Sequence, residues 1–304
     1  MYKKFKNIKL LSLIRWYIAK YILRAKYLDF ESINGPMILD LKTDGVSKAI
    51  AFYGAREIDK VHIINSLDLE GKNVIDLGSN IGYYSLLLSD KVGKFGHIYC
   101  VEPDSRNINL LEMNLALAKN KNYSINQVAI STKNGKQDLY RSKKSNLSSL
   151  INPEFLFNSA SESESFKESI KTITYKYLID EIERSDIYLI RMDIEGYEQY
   201  VIPQIIKCTP NAKILFEVHS LDYGEDFSVF LNHLIEKYEI EKLVSTQGGK
   251  NILTNKFNLK PSLKINSDGR TRYIFESITG QKITEVIMHN PRILRYVLLS
   301  PKKS

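Results

Sequence analysis

Val74-Ile75-Asp76-Leu77-Gly78-Ser79-Asn80-Ile81-Gly82 is a short apolar run closed by two glycines four residues apart. Directly behind it, Tyr83 to Asp90 carries a helical pattern. The stretch reads as a buried strand, a sharp turn and a helix. Glycine allows the turn and lets a ligand approach the backbone closely. The helix start offers unpaired N–H groups. Pyrophosphate-binding folds space their glycines G-x-G-x-x-G. Here the spacing is G-x-x-x-G with Asp76 in front, and no Walker lysine follows. An acid there would repel a pyrophosphate but suits a cationic sulfonium that carries an amino acid. The plain alternative is a strand-to-helix turn with no ligand.

Working outward, the same rhythm repeats. His97 to Glu102 is a second strand, stopped by Pro103. Asp104 or Ser105 can cap the next helix, which carries Ile108, Leu111, Leu115 and Leu117. Tyr123 to Ile130 reads as a third strand. Ile187 to Met192 and Lys213 to Val218 read as two more, with helices over 196–208 and 225–238. Strands alternating with helices predict a parallel sheet with right-handed crossovers. Asn134-Gly135 predicts a turn and a hairpin arm over 136–141. The polar stretch 142–167, rich in serine around Ser161-Glu162-Ser163-Glu164, is either a lid or a disordered insertion. Beyond Lys242, short strand-like runs such as Arg272 to Phe275 alternate with expected turns at Gly248-Gly249 and Asp268-Gly269. Three segments follow: a basic N-terminal helical or strand extension (1–56), an α/β domain (57–240) and a C-terminal extension (241–304).

At 304 residues and 43% hydrophobic content, the chain is long enough for one large α/β domain with additions, or for two small domains. Its formal charge of +8 suggests an acidic partner: anionic lipid, nucleotide or nucleic acid. Cys100 and Cys208 offer neither zinc spacing nor a disulfide framework, which points to the reducing cytoplasm. In the segment Tyr2 to Phe30, Arg15, Lys20, Arg24 and Lys26 interrupt the apolar run and argue against a transmembrane helix. No A-x-A cleavage site follows. The choice is between a helix packed on the domain and one lying peripherally on the inner membrane surface. On a helical wheel Arg15 and Lys26 share one sector while Lys9, Lys20 and Arg24 share another. That split favours the packed helix.

Three further groups carry chemistry. Glu102, about twenty residues past the loop, ends the second strand where an acid accepts hydrogen bonds from ribose hydroxyls. Asp193 and Glu195 stand where a buried strand gives way to a helix, the edge at which open α/β sheets bind ligands. Glu198, one turn further, suits a first-turn cap. In Glu217-Val218-His219, alternation puts Glu217 and His219 on one side, and His219 is a candidate base near neutral pH or a structural histidine. A Mg or Mn ion held by Asp193, Glu195 and His219 is conceivable. One helix start rarely presents three ligands at coordinating distance, so no metal is expected.

Val74 to Gly82, Val101-Glu102-Pro103, Asn114-Leu115, Ala129, Arg191 to Glu198 and Phe216-Glu217-Val218 together resemble the FkbM family of methyltransferases. The most specific part is Asp193-Ile194-Glu195-Gly196-Tyr197-Glu198, similar to that family's D-x-E-G-x-E run. The resemblance spans roughly Glu57 to Ser220; the Ser/Glu-rich loop and the tail beyond Leu221 lie outside it. It implies a class I methyltransferase-like, Rossmann-type α/β fold, doubly wound around a mostly parallel sheet, with an N-terminal helix and a C-terminal extension. It implies S-adenosylmethionine as donor and O-methylation of a sugar, polysaccharide or small natural product. Asp76, Gly78, Asn80 and Gly82 then match the cofactor loop, and Glu102 the ribose acid. Tyr83, Ala129 and the upstream Glu57 belong to the same cofactor site. Asp193 or His219 takes the acceptor's proton, and Glu195 orients the acceptor or shares charge.

Rivals make different demands. A nicotinamide or nucleotide-sugar enzyme would need the other glycine spacing. A nucleic-acid methyltransferase would draw on the +8 charge, but no N-P-P-Y-like motif or basic stripe laced with aromatics is present, so a small-molecule or glycan acceptor is expected. A non-enzymatic, membrane-associated protein would need a broken cofactor loop, and this one is intact.

Overall fold

The computed structural model describes residues 9–42, 45–141, 148–151, 166–182, 186–218, 234, 236–267, 269–278 and 294–302. The chain opens with α1 (Lys9–Tyr17), which widens into a π-turn over Ile18–Ile22, and a hairpin of β1 (Tyr27–Ser32) and β2 (Gly35–Asp40). Two helices follow, α2 (Val46–Tyr53) and α3 (Ile58–Asn65). Next come β3 (Asn73–Leu77), α4 (Tyr83–Val92), β4 (His97–Val101), α5 (Ser105–Leu115) and β5 (Tyr123–Asn126). A side arm holds β6 (Ala129–Ile130), β7 (Gly135–Arg141) and β8 (Phe166–Ile173). The chain returns through α6 (Tyr175–Glu181), β9 (Ile187–Met192), α7 (Glu198–Cys208) and β10 (Lys213–Glu217). It finishes with β11 (Tyr238–Thr246), α8 (Gln247–Phe257), β12 (Leu263–Ser267), β13 (Arg270–Ile278) and β14 (Leu294–Pro301).

Among the described residues, nine strands form one sheet in the order β12-β13-β11-β14-β10-β9-β3-β4-β5. From β10 to β5 every pairing is parallel. This half is the expected doubly wound α/β core. Alternate residues of β3 face opposite layers, with Ile75 and Leu77 packing towards α7 and Val74 towards α4 and α5. The other half is antiparallel, and β14 enters it between β10 and β11. The C-terminal extension therefore continues the central sheet, and the boundary expected at 240/241 falls inside β11.

Three local expectations need correction. The strand expected over 123–130 divides: β5 stays in the central sheet, while β6 joins the side arm beside β8. Gln127 and Val128, between them, redirect the chain. The arm over 135–141 does not pair with the strand just before it. Its partner is β8, some thirty residues on, in register from Gly135↔Thr172 to Arg141↔Phe166. Gly248-Gly249, expected to turn, sits in the first turn of α8, where Thr246 Oγ1 accepts from Gly249 N at 3.2 Å. This N-cap bond starts the helix and offsets part of the poor helix propensity of two glycines. Of the stretch 142–167, only 148–151 and the start of β8 are described. The helix expected over 225–238 lies mostly outside the described residues.

Candidate active site

Three carboxyl ends, those of β3, β4 and β9, open onto a cleft of about 910 Å³, mouth included. Its walls include Gly78, Asn80, Glu102, Ala129, Asp193 and Glu195. Gly78, Asn80 and Gly82 all have left-handed backbone (φ +79°, +50° and +87°). Gly78 must be glycine for a second reason. A Cβ there would lie 2.0 Å from the Asp193 carbonyl oxygen. Asp193 N donates to Leu77 O at 3.0 Å, so the β3 loop and the end of β9 are clamped together. Gly82 does a different job from the one expected. It caps α4 away from the cleft, and a Cβ would touch Leu111 of α5 at 3.0 Å.

Glu102 is buried at the end of β4. Its Oε2 accepts from Asn80 N at 2.8 Å, and its Oε1 accepts from Asp104 N at 2.9 Å and from Asn107 Nδ2 at 3.1 Å. Burial outweighs these bonds and pushes the carboxyl up to about 7. A carboxylate has about four acceptor sites, so three protein donors leave room for a ligand hydroxyl. Ala129 faces the same cleft. Tyr83 lines it too, though its hydroxyl is tied to the backbone N–H and carbonyl of Arg56 at 2.9 and 3.0 Å.

Asp76 is placed differently from the sequence expectation. It is fully buried and does not line the cleft. Ser85 Oγ donates to its Oδ2 at 2.6 Å, and Arg191 Nη1 reaches its Oδ1 at 3.1 Å. Arg191 also donates to Gly78 O at 2.9 Å and, through Nη2, to Asp193 Oδ2 at 2.6 Å. Asp76 therefore meets an internal guanidinium, and Arg191 ties the loop to Asp193.

Behind Asp193 lies a charge cluster with no counterpart in the sequence reading. Lys60, on the first turn of α3, is buried with its Nζ 3.0 Å from Asp193 Oδ2, 3.1 Å from Glu57 Oε2 and 3.6 Å from Glu217 Oε2. The Tyr84 and Tyr296 rings cover the ammonium, with centroids at 4.8 and 4.1 Å. Arg56 pairs with Glu57 at 3.3 Å, and Arg295 with Glu217 at 2.9 Å. Counting Asp76 and Arg191, four carboxylates face four cations. Burial alone would lower Lys60, but Asp193 and Glu57 outweigh it and hold the ammonium above its usual range. Burial alone would likewise raise Glu57. Lys60 and Arg56, with the Tyr84 hydroxyl at 2.6 Å, instead hold it well below the ordinary carboxylate range. Glu217 goes the other way. Burial and then Asp193 lift it to about 7 despite Lys60. The ligand atoms of Glu57, Asp193 and Glu217 lie within 4.8 Å of one another, a spacing that could hold a metal ion. The Lys60 ammonium lies close to all three.

Of the proposed catalytic residues, Asp193 and Glu195 come together at the cleft. Glu195 is left-handed (φ +51°), and its carbonyl accepts from Ser149 Oγ at 2.8 Å, which brings the segment 148–150 over the cleft. Glu198 Oε1 accepts from Ile194 N at 3.0 Å, so it closes the turn before α7 as its first-turn position suggested. His219 lies outside the described residues. Lys60, Arg56, Tyr84, Arg191, Arg295 and Tyr296 join the site without having been expected from the sequence. Arg191 had a signal, since strand alternation puts it on the same side as Asp193. Lys60 had none beyond its place three residues after Glu57.

Residues 76–247 match the methyltransferase FkbM domain. No curated protein matches the chain. Among solved structures, the chain is similar to an FkbM methyltransferase from Methylobacillus flagellatus KT, with 15% identity, a TM-score of 0.38, and 69% of this chain and 45% of that one covered. The chain thus spans under half the length of that protein. It is also similar to a SAM-dependent O-methyltransferase from Thermotoga maritima (14% identity, TM-score 0.40, 92% and 87% covered). A third is TYW2 from M. jannaschii in complex with AdoMet (10% identity, TM-score 0.44, 91% and 87% covered).

Proposed function

The chain belongs to the FkbM methyltransferase family, whose methyl donor is S-adenosylmethionine, and we propose that it O-methylates a hydroxyl of a sugar, polysaccharide or small natural product. The observation that carries this reading is the clamp between Gly78 and Asp193, which sets a carboxylate against the loop that would hold the donor. S-adenosylmethionine, when bound, supplies an electrophilic methyl group on a cationic sulfur. The residues present suit it: Glu102 has acceptor capacity left for ribose hydroxyls, and Asn80, Gly78 and Ala129 border the same space. Asp76 contributes through Arg191, by fixing the loop.

The acceptor oxygen must be aligned for in-line attack and must lose its proton as the new bond forms. Asp193 receives that proton on its carboxylate. Lys60 and Arg191 both bind its Oδ2 and hold it in one orientation. Glu195 and Ser149, at the rim, orient a hydroxylated acceptor. The cleft lining sets Arg56 and Arg191 against Glu57, Glu102, Asp193 and Glu195, with no excess of cations to meet a polyphosphate, which favours a small or glycan acceptor over nucleic acid. Free Cys100 and Cys208 suit a reducing cytoplasm.

Replacing Asp193→Asn and His219→Gln separately tests the base. Asp193→Asn is expected to lower kcat by about 10²–10⁴-fold while calorimetry still detects S-adenosylmethionine binding. Loss confined to His219→Gln would move the base to that residue, and wild-type turnover in both would sink the assignment. A panel of sugar and natural-product hydroxyl acceptors, read by transfer of labelled methyl, tests the acceptor class.

A further inference from the structure

We infer that the outward face of the N-terminal helix docks the enzyme on an anionic lipid surface. Leu11, Ile14, Ile18 and Ile22 follow one another at spacings of three, four and four, so they form one stripe along α1 and its π-turn. They are 71%, 45%, 41% and 73% exposed. Tyr21, beside them, is also exposed. The opposite side of the helix is already used. Ser12, Trp16 and Ala19 are buried against the body, and the Trp16 ring meets Phe52 edge-on at 6.0 Å. The helix is therefore both packed on the domain and left with an open apolar stripe, larger than the scattered exposed leucines of ordinary surfaces.

Charge identifies the partner. The first 26 residues hold eight of the 43 lysines and arginines and no carboxylate. The remainder of the chain then has 35 of each sign, so the entire net charge of +8 sits on this segment. Arg15, next to Ile14 in sequence, and Arg24, two residues past Ile22, are both exposed. A second copy pairing through the same face would set like charges against each other. Anionic headgroups neutralise them while acyl chains take up the aliphatic side chains. No helix among the described residues is long and apolar enough to cross a membrane, so the contact lies in the interface plane.

Flotation of the full chain with phosphatidylcholine vesicles, with and without phosphatidylglycerol, tests this. Wild type is expected to float with the anionic vesicles, less so as salt rises, and not with phosphatidylcholine alone. Arg15→Glu with Arg24→Glu is expected to lower the partition coefficient by about tenfold or more. Leu11→Ser with Ile18→Ser and Ile22→Ser should lower it comparably. All five positions are surface-exposed and outside the cleft, so thermal melting and S-adenosylmethionine binding should stay at wild-type values. Failure of wild type to float with anionic vesicles at low salt overturns the inference, as does binding that neither variant weakens. A wild-type dimer that the serine variant dissolves, without vesicle binding, assigns the stripe to self-association instead.

Discussion

Glu102 and Lys60 show how differently single residues reveal themselves. Glu102 ends a strand twenty residues past the glycine loop, a position with a known chemical use, and it lines the cleft. Its carboxyl near 7 has a consequence for binding. Ribose hydroxyls donate to the ionised form, so donor affinity should strengthen as pH rises through about 7 and weaken below it. Calorimetric titration between pH 6 and 8 checks this. Glu102→Gln should flatten the profile and weaken binding by about 10- to 100-fold, the worth of a hydrogen bond to a charged group. Lys60 had no such signal. Its neighbours Val61, Ile63 and Ile64 are core residues, and a lysine among them reads as one more surface charge until Glu57, Asp193 and Glu217 are seen around it. Removing the ammonium would leave Arg56, Arg191 and Arg295 alone to balance the buried carboxylates, one negative charge in excess, the costly way to break a buried network.

Among the elements, the parallel strands were legible because each is a short apolar run with a turn at its end. The antiparallel half was not. β14 is a run of apolar residues near the C-terminus, and nothing local says that it inserts between β10 and β11. Once inserted, it brings Arg295 and Tyr296 to the charge cluster, so a segment expected to be peripheral supports the site. Leu294, Tyr296, Val297, Leu298 and Leu299 are at most 1% exposed. At about 1.5–3 kcal/mol for each buried side chain, their burial is on the order of 10 kcal/mol, comparable with the stability of a whole domain. Truncation that removes 294–304 is therefore expected to abolish the cooperative melting transition in circular dichroism. The same limit explains β5 and β6, since the apolar pattern runs through 123–130 and only pairing partners reveal that the chain changes sheets there.

The buried acids give the folded chain a predictable pH response. Glu102 and Glu217 have folded values near 7 against an ordinary 4.5. Between those values the folded state binds more protons than the unfolded one, so their contribution falls as pH rises from about 4.5 through 7. Glu57, Asp104 and Glu241 are held low. Their contribution is present above the ordinary carboxylate values and is lost as pH falls through the folded ones. Stability of the ligand-free protein should therefore be greatest near pH 4.5 and fall from there to about pH 7. Urea midpoints measured at about pH 4.5, 6 and 8 should fall in that order; a steady rise from 6 to 8 would contradict the ionisation assigned to Glu102 and Glu217.

What could be read from the residues in order was local chemistry. Glycine spacing at 78 and 82, the acid at 102, the Asp193 to Glu198 run and the Asp104 cap each depend on neighbours within a few positions. Those features led to the α/β core, the donor and the acids at the strand ends. Folding settled what depends on residues far apart: Asp76 turned inward to Arg191, Lys60 set among three carboxylates, β14 at the middle of the sheet, and one stripe of the N-terminal helix buried while the other faces water. An apolar stripe has the same spacing whether it is covered or open, and an ion pair across more than a hundred residues leaves no period in the sequence. Only the packed chain distinguishes those cases.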